Sequence, residues 1–215
     1  MEKYNRAWLI GFSGAVLSLV LFAWLARQVL AGATHDFDLA VRGAIHSWAS
    51  PRLTYAMRGV TELGAPAFLV TLGVILAWRL ARAGRRRAAV VLVIAACGSE
   101  ALDQVLKLVF HRQRPEPFFG YALPLSYSFP SGHSIASACF YGVVAAIVTV
   151  RMKSRWRKAA IWTVAALLAL AVGFSRVYLG VHYPSDVIAG YLAAVIWVAA
   201  VRAGYEYWTR RTGAR

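Results

Sequence analysis

Three polar islands interrupt an otherwise apolar chain, and their residue types suit phosphoryl transfer. The first is Lys107 with Arg114 and Pro115. The second runs Ser128-Phe-Pro-Ser131-Gly132-His133. The third is Ser175-Arg176, followed by His182, Pro184 and Asp186. Together they offer three cations, two imidazoles and a carboxylate. Fixed cations can hold phosphoryl oxygens, a neutral imidazole can attack phosphorus, and a second imidazole can move protons.

Each island also has a plain structural reading. Lys107 and Arg114 are seven residues apart, about two turns, so a continuous helix would turn both one way. Lys107 also follows Asp103 by four, a pairing that would explain a lysine within an apolar run. Ser131 stands where a helix cap belongs. The N–H groups of Ser131, Gly132 and His133 would then be free to hold an anion at a positive dipole end. A cap alone does not explain the histidine after it. His182 and Asp186, four apart, would meet on a helical turn. That is either a structural hydrogen bond or a carboxylate holding one imidazole nitrogen and leaving the other free. Arg176 supplies a planar fork suited to phosphate oxygens.

The elements that must position these residues are membrane helices. Of the 215 residues, 60% are hydrophobic, and the mean hydropathy is +0.55. Six apolar stretches lie at 7–26, 65–81, 88–109, 134–150, 159–174 and 187–201. Most approach the roughly 20 residues that cross a bilayer as helix. The expectation is an all-α polytopic protein with six spans in one membrane-embedded domain over 1–215, the motifs falling within 107–186. Ala31-Gly32-Ala33 resembles a signal-peptidase site. The apolar run before it is long for a signal peptide, so a retained span is expected. Residues 35–50 place Phe37, Val41, Ala44, Ile45 and Trp48 at helical spacing with Asp38, Arg42 and His46 between them. This predicts an amphipathic helix on the outer interface between the first and second spans. Cys97 and Cys139 lie within apolar runs and read as buried small hydrophobes.

The net charge of +15 would suggest nucleic acid in a soluble chain. Here sixteen of the 24 basic residues fall in clusters at 3–6, 79–87, 151–158 and 202–215. The positive-inside rule puts those clusters and both termini in the cytoplasm, and all three islands on the external face. No basic recognition element appears, so nucleic acid is not an expected partner.

Taken together, the islands resemble the type 2 phosphatidic acid phosphatase superfamily of membrane lipid phosphatases. Its pattern is Lys-x6-Arg-Pro, Pro-Ser-Gly-His and Ser-Arg-x5-His-x3-Asp. Lys107 to Pro115, Pro130 to His133 and Ser175 to Asp186 fit it without departure. The resemblance implies that His182 attacks phosphorus, Asp186 orients it and His133 exchanges the protons. It implies that Lys107, Arg114, Ser131, Gly132 and Arg176 hold the phosphate. A bell-shaped pH–rate profile would follow. It implies no metal and no cofactor, and a lipid phosphate in a bacterial inner membrane as substrate. Undecaprenyl pyrophosphate suits an external site best, with phosphatidylglycerophosphate or phosphatidate next. Glu116, Phe118, Phe119 and Tyr121 would line the headgroup entrance or form a packed loop. Two rivals stand beside this reading: a lipid A phosphatase or phosphotransferase of the same superfamily, and an anion-binding transporter without turnover. Oligomeric state is left open.

Overall fold

A computed structural model describes residues 2–123 and 125–211, with the backbone alone at 2–8, 10 and 210. Among these, eight helices run in chain order: α1 (Glu2–Leu30), α2 (His35–His46), α3 (Pro51–Glu62), α4 (Pro66–Arg82), α5 (Arg86–Phe110), α6 (Gly132–Thr149), α7 (Arg155–Tyr178) and α8 (Pro184–Arg211). Five are long and apolar enough to cross a membrane. The short second stretch at 65–81 is α4. With α3 it is long and apolar enough to make up to a sixth span, the pair being bent by 46° at the break. Pro66 opens α4 and has no N–H with which to continue α3.

The helices look outward with apolar side chains. Val20, Val74, Val93, Leu108, Val164 and Leu167 are all well exposed, as lipid-facing residues are. The core centres on α6, whose Ile135, Cys139, Phe140 and Val143 are buried among α4, α5 and α8. α1 lies along α8 and contributes Leu25, Ala26 and Val29 to a cluster with Phe129 and Ala189. It therefore packs as a retained span would. Both cysteines are free, but Cys97 is exposed on the outer surface of α5 and only Cys139 is buried.

The basic turns gather at one end. Arg85 donates to the Ile147 carbonyl at 2.9 Å, and the Arg87 guanidinium lies 5.8 Å from the Trp208 ring centroid. This joins the α4–α5 turn to the ends of α6 and α8. The polar islands occupy the other end. Of the basic residues used for the topology, the side chains of Lys3, Arg6 and Arg210, and all of Arg215, lie outside the described residues.

α2 stands where the amphipathic helix is expected, but two of its three expected polar residues turn into the protein and only His46 is exposed. Asp38 and Arg42 are buried, while Phe37, Leu39 and the following Trp48 are exposed. Arg42 donates to the carbonyls of Glu116 and Gly180 at 2.8 and 3.2 Å. It also lies 4.7 Å from the Phe118 ring centroid. Through Asp38 and Arg42 the helix is fastened across the island end of the bundle.

Candidate active site

The third island is built by the start of α8. Tyr183 precedes the helix and Pro184 opens it, so Asp186 falls in the first turn. Its Oδ2 accepts the Tyr183 N–H at 2.9 Å, half of a capping box. That capping role fixes the carboxylate beside His182, whose Nδ1 is 3.4 Å from the same oxygen. The two residues therefore meet across a helix start, not within a helical turn as the spacing suggested. Both are almost wholly buried. Ser128 also donates to Oδ2, at 2.5 Å, and lies 3.4 Å from Nδ1.

His182 Nε2 faces Arg114 Nη1 at 3.0 Å. A guanidinium only donates, so Nε2 is the acceptor and Nδ1 carries the proton toward Asp186 and Ser128. Burial holds the His182 imidazole at about 3, against the pull of Asp186. It is neutral near pH 7, with a lone pair on Nε2.

Arg114 does not share a helical face with Lys107. α5 stops at Phe110 because His111 adopts a left-handed conformation (φ 47°) and its N–H closes onto the Lys107 carbonyl. Arg114 reaches the site from the loop beyond. It donates to the carbonyls of Ser126, Val181 and Tyr127 and to Ser126 Oγ, at 2.7 to 3.1 Å. Burial, then Arg176, lowers its guanidinium to about 10, which still leaves it charged.

Lys107 is buried and pairs with Asp103 at 2.6 Å. Asp103 in turn lies against the start of α6. A Cβ on Gly132 would fall 2.7 Å from Asp103 Oδ2, so any side chain there would have to displace the carboxylate or the helix start. Ser131 is the N-cap residue, but its side chain makes no capping bond. Its N–H donates to the Asp186 carbonyl at 3.0 Å. That donor, expected to hold an anion, is spent joining α6 to α8. Gly132 and His133 remain as first-turn N–H donors outside the helical ladder.

Arg176 comes from the last turn of α7. Its Nη1 donates to Thr61 of α3 at 2.6 Å, and its buried Nε has no partner among the described residues. His133 is half-buried in the first turn of α6, within electrostatic reach of Arg176, His182, Lys107 and Arg114. The three islands thus meet at one end of the bundle.

Several neighbours of this cluster carry no signal in the motif spacing. Arg112 is the foremost. Its Nη1 bonds Asp186 Oδ1 at 2.6 Å and Ser185 Oγ at 2.7 Å, and its Nη2 bonds Asp38 Oδ2 at 2.7 Å. Burial would lower its guanidinium, but Asp186 and Asp38 together raise it. The clue lay in its place, two residues before Arg114. Ser128 stood in the second island without an evident task. Thr61 gave no sign at all. Among the described residues, no group of three His, Cys, Asp or Glu could hold a metal ion.

A neutral buried imidazole, backed by a carboxylate and facing cations at the end of a membrane bundle, belongs to an integral membrane phosphatase. The chain is a member of the PAP2 superfamily, which it matches over residues 87–210. Phosphatidylglycerophosphatase B of Bacillus subtilis (strain 168) is 33% identical over 174 residues, covering 80% of this chain and 85% of that one. The crystal structure of a transmembrane PAP2 type phosphatidylglycerolphosphate phosphatase from Bacillus subtilis superposes with a TM-score of 0.83 at 31% identity. It covers 90% of this chain and 96% of that one. An undecaprenyl-diphosphatase of Sulfolobus acidocaldarius is 37% identical over 112 residues, half of each chain.

Proposed function

We propose that this phosphatase removes the phosphoryl group of a phospholipid phosphomonoester, of the phosphatidylglycerophosphate or phosphatidate type, through a phosphohistidine on His182. The observation that carries the reading is the Nε2 lone pair of His182, held toward Arg114 while Nδ1 faces Asp186. In the first step Nε2 bonds to phosphorus and the bond from phosphorus to the lipid oxygen breaks. His133 protonates that oxygen. In the second step water attacks phosphorus, His133 takes its proton, and the N–P bond breaks to release phosphate. Lys107, Arg114, Arg176 and the N–H groups of Gly132 and His133 hold the remaining oxygens as charge develops.

The ranking of substrates reverses the one suggested by an external site. Support for a phosphatidylglycerophosphate-type lipid comes from the relative matched over 85% of its length. The undecaprenyl-diphosphatase match covers half of each chain and favours a prenyl diphosphate as second reading. In this reading the basic end of the bundle and both termini face the cytoplasm of a bacterial inner membrane, and the site faces outward.

The test is phosphate release by purified protein in detergent from phosphatidylglycerophosphate, phosphatidate, undecaprenyl pyrophosphate and lipid A. The phosphomonoester glycerolipids are expected to turn over fastest, with and without EDTA. His182→Ala is expected to be inactive, and release that survives this substitution removes the nucleophile assignment. Phosphate passed to a second lipid, with none released, would favour a phosphotransferase. Binding without release from any lipid would favour a transporter.

A further inference from the structure

We propose that Arg112 is a positioning residue for the nucleophile, tying Asp186 to Asp38 of α2 and so making α2 part of the device that aims His182. The inference rests on the reading of His182 as nucleophile given above.

Asp186 is fully buried and uses both oxygens. Oδ2 serves Ser128, the Tyr183 N–H and His182. Oδ1 is held by Arg112 Nη1 at 2.6 Å. The bond to His182 is long, at 3.4 Å, so it cannot set the carboxylate plane alone. Ser128 and the Tyr183 N–H anchor Oδ2, and the short, charge-assisted Arg112 bond holds the other oxygen, so the two anchors together set the plane. Without the Arg112 bond, a buried carboxylate oxygen loses its donor and the group turns to find another.

Arg112 is held in its turn by α2. Asp38 Oδ2 accepts from Nη2 at 2.7 Å, and Thr34 Oγ1 lies 3.4 Å from the same nitrogen. Asp38 is locked by Ser185, whose N–H and hydroxyl donate to it at 2.9 and 2.7 Å. The guanidinium lies 4.2 Å from the Tyr183 ring centroid. A planar fork clamped between two buried carboxylates transmits orientation as a lysine ammonium would not. The guanidinium's partners among the described residues are Asp186, Asp38, Ser185, Thr34 and Tyr183, and the Arg112 carbonyl accepts the Ser128 N–H at 2.8 Å. None of the guanidinium's bonds involves His182 Nε2, which faces Arg114. Arg112 therefore acts through Asp186.

The experiment measures kcat and KM with dioctanoyl phosphatidate in detergent micelles. It compares wild type, Arg112→Gln, Arg112→Lys, Asp38→Asn, the Arg112→Gln/Asp38→Asn double variant and His182→Ala. Each protein is checked for a single peak in size-exclusion chromatography. Misaligned catalytic groups commonly lose about 10- to 100-fold in rate. Both Arg112 variants are expected to lose that much in kcat with KM little changed. Asp38→Asn should lose less, and the double variant should match Arg112→Gln. A folded Arg112→Gln enzyme with wild-type kcat would overturn the proposal. So would a loss confined to KM, which would make Arg112 a phosphate ligand, or losses that multiply in the double variant. If Arg112→Gln does not fold, Asp38→Asn decides alone, and an unchanged kcat there is fatal. Activity retained by His182→Ala would instead remove the reading beneath the proposal. An inactive His182→Ala beside a fast Arg112→Gln would remove only the role of Arg112.

Discussion

The Arg114 guanidinium lies 3.0 Å from His182 Nε2, donating to the atom that would attack phosphorus. The arginine therefore faces the lone pair that the proposed mechanism uses and holds the tautomer. In that mechanism a phosphoryl group entering between them would meet the same N–H. The arginine's other donors are occupied by the Ser126, Tyr127 and Val181 carbonyls and Ser126 Oγ. It cannot drift, so little reorganisation is needed at the moment of reaction.

Arg114→Lys should be a severe lesion despite keeping the charge. An ammonium has three donors on a flexible stem and cannot serve those acceptors and the phosphate at once. Loss of one preorganised donor costs roughly 100- to 1,000-fold in kcat. Steady-state phosphate release will show this as a fall in kcat, and a variant within about tenfold of wild type would argue for simple charge attraction.

The pH dependence has a definite sign. The folded His182 imidazole sits at about 3, against an ordinary value of 6.5, through burial. Above pH 3 the free enzyme thus keeps His182, the proposed nucleophile, neutral. The acid-side fall of kcat/KM, which reports the free enzyme, should lie well below the usual histidine range. Stability moves too. The unfolded chain binds a proton at His182 near pH 6.5 and the folded chain does not, so acidification between those values favours unfolding. Rate profiles corrected for substrate ionisation, with thermal unfolding in detergent, check both. An acid limb near pH 6.5 that belongs to His182 would contradict the burial.

How much of this was legible follows from what periodicity can encode. The spans were visible because a bilayer demands long apolar runs, and the islands because charges are costly beside them. Helical spacing misled at Arg114, since it assumes the helix continues, and α5 ends on His111 in a left-handed turn that no glycine announces. It succeeded by another route at His182 and Asp186, where a helix start brings them together. Asp38 and Arg42 were seen on the polar face of α2, but amphipathicity says only which face is apolar. In this helix Asp38 and Arg42 are covered by protein while Phe37 and Leu39 are exposed. Thr61 was invisible because its partner, Arg176, lies 115 residues away.

Gly132→Ala tests the contact between α6 and Asp103. An added Cβ would stand 2.7 to 2.9 Å from all three carboxyl atoms, so the carboxylate or the helix start must move. Lys107 is tied to that carboxylate at 2.6 Å and would move with it. Displacement of about 1 Å in a positioning group can cost roughly 100-fold, and a loss of that order in kcat/KM is expected. Gly142→Ala, in the same helix with nothing within 4 Å of the new atom, is the control and should keep full activity.

Thr61→Val isolates the link between the bent span and the third island. Valine is close to threonine in shape but accepts no hydrogen bond, so the change removes the Arg176 acceptor. Arg176 is only 2% exposed and its Nε already lacks a partner among the described residues. A second unpaired N–H on a buried guanidinium costs about 1–3 kcal/mol. The thermal midpoint in detergent should therefore fall. Inorganic phosphate should restore more stability to the variant than to wild type, because it offers the orphaned N–H an acceptor. Catalysis should weaken chiefly in KM, as a loosened Arg176 grips the incoming phosphate less well. Equal stabilisation of both proteins by phosphate would mean that Arg176 does not turn toward the anion. Thr61 would then be a packing residue and nothing more.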